Sequence, residues 1–152
     1  MLLEPLYQLR YRYLEGWQVA AGPPETNDEA HFYVAEGRCD GRLTGRFGGA
    51  NHPRRRGDRA MVMDMQGVIE TDDGATVVVD VTGYGRAYPA GRRQVVGAVR
   101  HLSDDDRYRW LNDAVAVLAG EVRTPDHPPP VDQAEVELVF DVAELIWEAP
   151  AD

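Results

Sequence analysis

The sequence predicts an all-β fold, a single closed antiparallel β-barrel with a β-sandwich as the alternative and one short helix. Three observations lead there. Apolar and β-branched residues alternate with polar ones over eight stretches, turn-forming Gly, Pro, Asn and Asp clusters separate those stretches at short intervals, and long runs of helical period are absent. With 152 residues, 43% hydrophobic and 28% charged, the chain has the size of one domain spanning 1–152, which can bury a core without disulfides.

In chain order, extended segments are expected at 3–13, 31–36, 41–47, 61–71, 75–83, 94–101, 114–122 and 134–148. Ser103 followed by Asp104, Asp105 and Asp106 supplies a capping oxygen and acidic residues at a helix N-terminus, so a helix of about two to three turns carrying Tyr108, Trp110 and Leu111 is expected there. The proline-rich piece 124–130 lacks ladder donors and reads as an exposed connection.

The most informative stretch is 61–83. Thr71-Asp72-Asp73-Gly74 fits a type I turn closed by a glycine in the left-handed region, which sets Thr71 opposite Ala75, Gln66 opposite Asp80 and Asp64 opposite Thr82. One face of this hairpin then holds Met61, Met63, Met65, Ile69, Val77, Val79 and Val81. The other holds Asp64, Gln66, Glu70, Asp80 and Thr82. Two placements stay open for the polar face: it lines a lumen, where Asp64 suits acid-base work, or it faces water.

Composition excludes several chemistries. The formal net charge of -10 repels a phosphate backbone, so no nucleic-acid partner is expected. All 16 basic residues are Arg, which removes Schiff-base chemistry and Walker-type phosphate loops. Cys39 is the sole cysteine, so a buried apolar role in a reducing compartment is expected. His31, His52, His101 and His127 lack zinc-ligand spacing, Ser103 is the sole serine and reads as a helix cap, and no metal or cofactor is expected. Glu4, Arg10, Arg12 and Glu15 break up the N-terminal stretch, which therefore reads as neither signal peptide nor membrane span and points to a cytoplasmic protein.

Two further segments carry binding chemistry. The polar loop 48–58 offers Arg54, Arg55 and Arg56 to a carboxylate or phosphate, the alternative being a solvated loop, and Arg86 sits between Tyr84 and Tyr88 at a strand end, the alternative being a structural turn.

Gly67-Val68-Ile69-Glu70-Thr71-Asp72-Asp73-Gly74-Ala75, with Asp64 before it and Tyr108-Arg109-Trp110-Leu111-Asn112 and Gly120 after it, resembles the bacterial family called Domain of Unknown Function 3237. Gly41-Arg42-Leu43-Thr44-Gly45 and the ending 141–145 are similar too, so the resemblance runs over most of the chain from about residue 37 onward. It implies a closed antiparallel β-barrel. Asp64 matches the family pattern, whereas Asn51 stands where the family tends to have Asp and Gln66 where it tends to have Arg.

The resulting first reading is a barrel that encloses a small organic molecule and performs cofactor-free acid-base chemistry of isomerase, dehydratase or cyclase type. Asp64 is the expected acid or base, His52 or His101 its proton partner, and Asn51, Gln66, Arg86 and Asn112 orient the ligand. The rival reading is a non-catalytic ligand-binding or homodimer-forming module.

Overall fold

The structure, a computed structural model, describes residues 1–26, 29–58, 60–87, 93–128 and 130–151. Its strands are β1 (Leu2–Ala20), β2 (Glu29–Gly41), β3 (Gly45–Asn51), β4 (Arg54–Arg55), β5 (Met61–Thr71), β6 (Thr76–Ala87), β7 (Arg93–Leu102), β8 (Ala116–Arg123) and β9 (Glu137–Ile146). Each long strand pairs antiparallel with the next, and β1 closes the ring by pairing with both β2 and β9. The eight long strands therefore form a closed barrel. The short β4 lies past Pro53, where Arg54 pairs with both Ala30 and Val62, and so continues the seam that β3 occupies between β2 and β5.

The turn chemistry fixes the β5–β6 hairpin as expected: Gly74 has φ 91°, the Thr71 N–H donates to the Ala75 carbonyl at 2.9 Å, Gln66 pairs with Asp80 and Asp64 with Thr82. Burial then decides between the two faces. Met63, Met65, Ile69, Val77, Val79 and Val81 are at most 5% exposed, whereas Gln66, Glu70 and Thr82 are exposed and Asp64 and Asp80 half-buried. The polar face is the outer one, which corrects the placement of Asp64 in a lumen. An eight-stranded barrel is just wide enough for side chains to fill, and filling it with apolar groups stabilises by about 1.5–3 kcal/mol per large side chain. Outside, Arg46 pairs with Glu70 and Arg100 with Asp80 across the strands in water.

The core is graded along the barrel. Tyr11 packs on Phe47 and Phe140 with ring centroids 5.6 Å apart in both cases, while Leu43 and Leu111 are buried at the end where β2 turns into β3 and β7 leads to β8. The expected helix after Ser103 is shorter than its signals suggested, a single 3-10 turn at Arg109–Asp113 with Leu111 as its buried residue. Ser103 does not cap an α-helix. Its hydroxyl donates to the Thr76 carbonyl at 2.7 Å and accepts from the Asp105 N–H at 3.3 Å, and the local chain is consumed in holding this end of the barrel shut.

Other departures concern boundaries. β1 runs to Ala20 and β2 from Glu29, the first having been hidden by a bulge between Tyr13 and Glu15 that breaks the alternation. The loop 48–58 is partly strand, and the last strand begins at Glu137, after a 3-10 turn at Gln133–Glu135 closed by an Asp132 capping box. Tyr88 and Pro89 of the 84–89 motif lie outside the described residues. Among the described residues no helix is long and apolar enough to cross a membrane.

Candidate functional site

Among the described residues the end of the barrel opposite Leu43 and Leu111 is open, and a cavity of about 390 Å³ occupies it. Alternation explains its lining. One inward position beyond Tyr11 on β1 comes Tyr13, one beyond Phe140 on β9 comes Leu138, and Met63 and Met61 follow Met65 on β5, so the same inward faces that fill the closed half frame the mouth. A volume in the range of small-molecule sites, walls that are mostly apolar and a few convergent polar groups match what ligand pockets require.

Two polar chains reach into it. On the first, the Asn51 side-chain oxygen accepts the Asp64 backbone N–H at 3.2 Å, so its amide nitrogen is turned toward Tyr13 and donates to that hydroxyl at 2.8 Å. The Tyr13 oxygen is thereby an acceptor, which leaves its own proton for another partner. Burial raises the Tyr13 pKa, partly opposed by the Asn51 hydrogen bond, so the hydroxyl stays protonated.

The second chain occupies alternate inward positions of β2. The Glu29 carboxylate lies 3.4 Å from His31 Nε2, and His31 Nδ1 lies 3.1 Å from the Tyr33 hydroxyl. The Tyr33 ring is stacked on Tyr13 with centroids 4.7 Å apart and lines the cavity. Its pKa is raised by burial, with Arg93 and Arg55 pulling down and Glu29 pushing up. The Glu29 carboxylate is near Nε2 without a hydrogen bond to it, so that buried nitrogen has no hydrogen-bond partner among the described residues, while Nδ1 and the Tyr33 hydroxyl share a hydrogen bond along which a proton can pass. Gly16 makes the stack possible, because a Cβ there would overlap the Tyr33 ring.

Of the seven residues singled out from the sequence, the structure brings Asn51 alone to this cavity. Asp64, Gln66 and Arg86 lie on the outer face. His52 is exposed with its ring 4.6 Å from that of Phe32, and its backbone N–H donates to the Asp64 carbonyl at 2.8 Å. His101 is buried on the inward face of β7 in the closed half of the barrel, its Nε2 2.8 Å from the Tyr7 hydroxyl and its Nδ1 without a partner among the described residues. Asn112 brackets Ser103, accepting its N–H at 2.8 Å and donating to its carbonyl at 3.0 Å. Among the described residues no three His, Cys, Asp or Glu side chains gather as metal ligands.

Sequence reasoning missed Tyr13, Tyr33, His31 and Glu29. The signal was period two: Glu29, His31 and Tyr33 alternate with Ala30, Phe32 and Val34, but a strand started at His31 excludes the carboxylate that completes the set.

Fold and mouth together define a small closed antiparallel β-barrel with one open, aromatic-lined end. The chain belongs to the family described as protein of unknown function (DUF3237), whose model matches residues 1–139. It is similar in structure to a β-barrel-like protein from Acinetobacter baumannii AYE (TM-score 0.75, 19% identity, 94% of each chain covered). A protein of unknown function from Clostridium acetobutylicum is similar too (TM-score 0.76, 15% identity, 95% of this chain and 100% of that one). A Penicillium herquei protein described as an enzyme shares the fold at a TM-score of 0.57 with 21% identity and 93% of each chain covered. No curated protein matches the chain.

Proposed function

We propose that the protein binds a small, largely apolar organic molecule in the open mouth and moves a proton on it without a cofactor, as an isomerase, cyclase or dehydratase does. The observation that carries this reading is the Glu29–His31–Tyr33 series, which ends on a hydroxyl in the cavity wall. Tyr33 exchanges a proton with the ligand and His31 takes or returns it, with Glu29 stabilising the imidazolium. Tyr13, its oxygen already held by Asn51, donates to a ligand oxygen as charge develops there. The proton removed at one ligand atom returns at another, so no outside reagent is needed. The Penicillium herquei enzyme supports the reading at the level of fold alone. The free Cys39 thiol and the ion-paired exterior fit a cytoplasmic setting.

The test is a panel of small phenols and β-dicarbonyl compounds incubated with the protein in D2O and followed by NMR for deuterium uptake or conversion. Uptake that is lost in Tyr33→Phe with binding retained supports the enzyme. Binding of panel members without exchange or conversion for any of them makes the protein a carrier.

A further inference from the structure

In a chain with ten more negative than positive charges, most arginines are expected to face carboxylates, and many do: Arg38 pairs with Asp72, Arg46 with Glu70, Arg56 with Asp58, Arg100 with Asp80 and Arg107 with Asp105. Others among the described arginines have no carboxylate partner, Arg12, Arg42, Arg54 and Arg86 among them, and what sets Arg93 and Arg55 apart is their place at the mouth. Arg93, the first residue of β7, lines the cavity, and its Cδ lies against Gly85, 3.2 Å from where a Cβ on that glycine would stand. Arg55 of β4 is directly opposite Met61, which also lines the cavity, so the two share one face of the ladder. Neither guanidinium has a carboxylate partner among the described residues.

We infer that the ligand is an organic acid, its anionic group held at the rim by Arg93 and Arg55 and its apolar body lying between the Tyr13–Tyr33 stack and Met61, Met63 and Val95. This inference rests on reading the mouth as the ligand site and adds the ligand's charge. Three physical points support it. A guanidinium fork matches a carboxylate or an ionised enol in geometry as well as charge. Both arginines act on the Tyr33 hydroxyl, so their field is felt inside the cavity and not only at its edge. Gly85 is itself buried and lines the wall, which gives the Arg93 stem a place to lie while the head reaches the opening. The Glu29 carboxylate, which acts on the same Tyr33 hydroxyl with the opposite sign, lies beside His31.

The experiment compares 2-naphthoate with its neutral isostere 2-naphthamide by calorimetry on the whole chain, in the wild type and in Arg93→Gln, Arg55→Gln and the double variant. Both probes are rigid and aromatic and differ in charge at one group. The wild type is expected to prefer the acid by about tenfold or more, as a charge-assisted contact would give, and each substitution to weaken acid binding while leaving the amide unchanged. Thermal melts of the variants check that they fold. Equal affinity for acid and amide, or an acid preference that survives the double substitution, overturns the inference and leaves the mouth as a site for neutral ligands. Failure of the wild type to bind either probe overturns the mouth as a binding site and the inference with it.

Discussion

The side-chain amide of Asn51 donates to the Tyr13 hydroxyl across 2.8 Å while its oxygen accepts the Asp64 N–H, so one residue ties the cavity wall to the backbone of the neighbouring strand. Asn51→Leu is expected to destabilise by about 1–3 kcal/mol, because it leaves a part-buried N–H without its acceptor. Asp64→Asn, a change on the outer face, is expected to stay within about 0.5 kcal/mol of the wild type. Urea unfolding of the two variants checks the contrast, and similar costs would contradict the assignment of faces.

His101 makes stability depend on pH. Burial lowers its pKa from 6.5 to about 4, and protonation would put a second N–H on a ring whose Nδ1 has no partner among the described residues. Below pH 6.5 the unfolded chain takes up a proton that the folded chain refuses until about pH 4. The stabilisation is therefore complete above pH 6.5, is lost as the pH falls toward 4 and changes no further below that. The loss is on the order of 3 kcal/mol by linkage. Unfolding free energies from pH 7 to 4 are expected to show this slope in the wild type, and His101→Phe is expected to remove that component.

Gly16 is expected to be intolerant of any side chain for a reason that concerns the site. Its Cβ would overlap the Tyr33 ring, so Gly16→Ala is expected to displace Tyr33 from Tyr13 and to weaken probe binding at the mouth by about tenfold or more, a loss of about 1.4 kcal/mol. Calorimetry with the same aromatic acid reads the change. Unaltered binding would show that the stack contributes nothing to the ligand.

Gly74→Ala tests backbone alone. A Cβ at this position meets no atom within 4 Å, yet φ is 91°, so a cost of about 1 kcal/mol is expected from the left-handed conformation without any clash. Chemical denaturation measures it.

The Cys39 thiol is buried and its pKa is pushed up to about 11, chiefly by burial. It is expected to resist an aromatic disulfide reagent at pH 8 until denaturant opens the barrel. Rapid labelling of the native protein would place the thiol elsewhere.

The hairpin at Thr71–Ala75 was legible to the residue because a turn of fixed type sets register, and register sets which side chains share a face. Which face is inside was not legible from that hairpin. Alternation separates Met65 from Gln66 equally well in either case, and the answer comes from the width of an eight-stranded barrel, whose closed half is filled mainly by apolar side chains with the Tyr7–His101 hydrogen bond among them. The site was less legible. Its relay begins at Glu29, before the first residue that a hydrophobic pattern would assign to the strand, and Tyr13 is the last residue of the expected first strand, directly before the bulge where the pattern changes phase. His52 and Asp64 were chosen for their chemistry, and their backbones do meet, but strand parity sends both side chains outward.

Gln8 hydrogen-bonds to Asp141 across the seam between β1 and β9, two residues 133 positions apart. During synthesis, β1 can pair with β2 as soon as both have left the ribosome, but its second edge stays open until β9 follows. In the folded barrel β9 covers the edges of both β1 and β8, so without it those two edges have no partner strand between them. Closing the barrel therefore depends on a pairing between the two ends of the strand order, β1 and β9, and contacts of such long sequence separation are the ones that make folding slow.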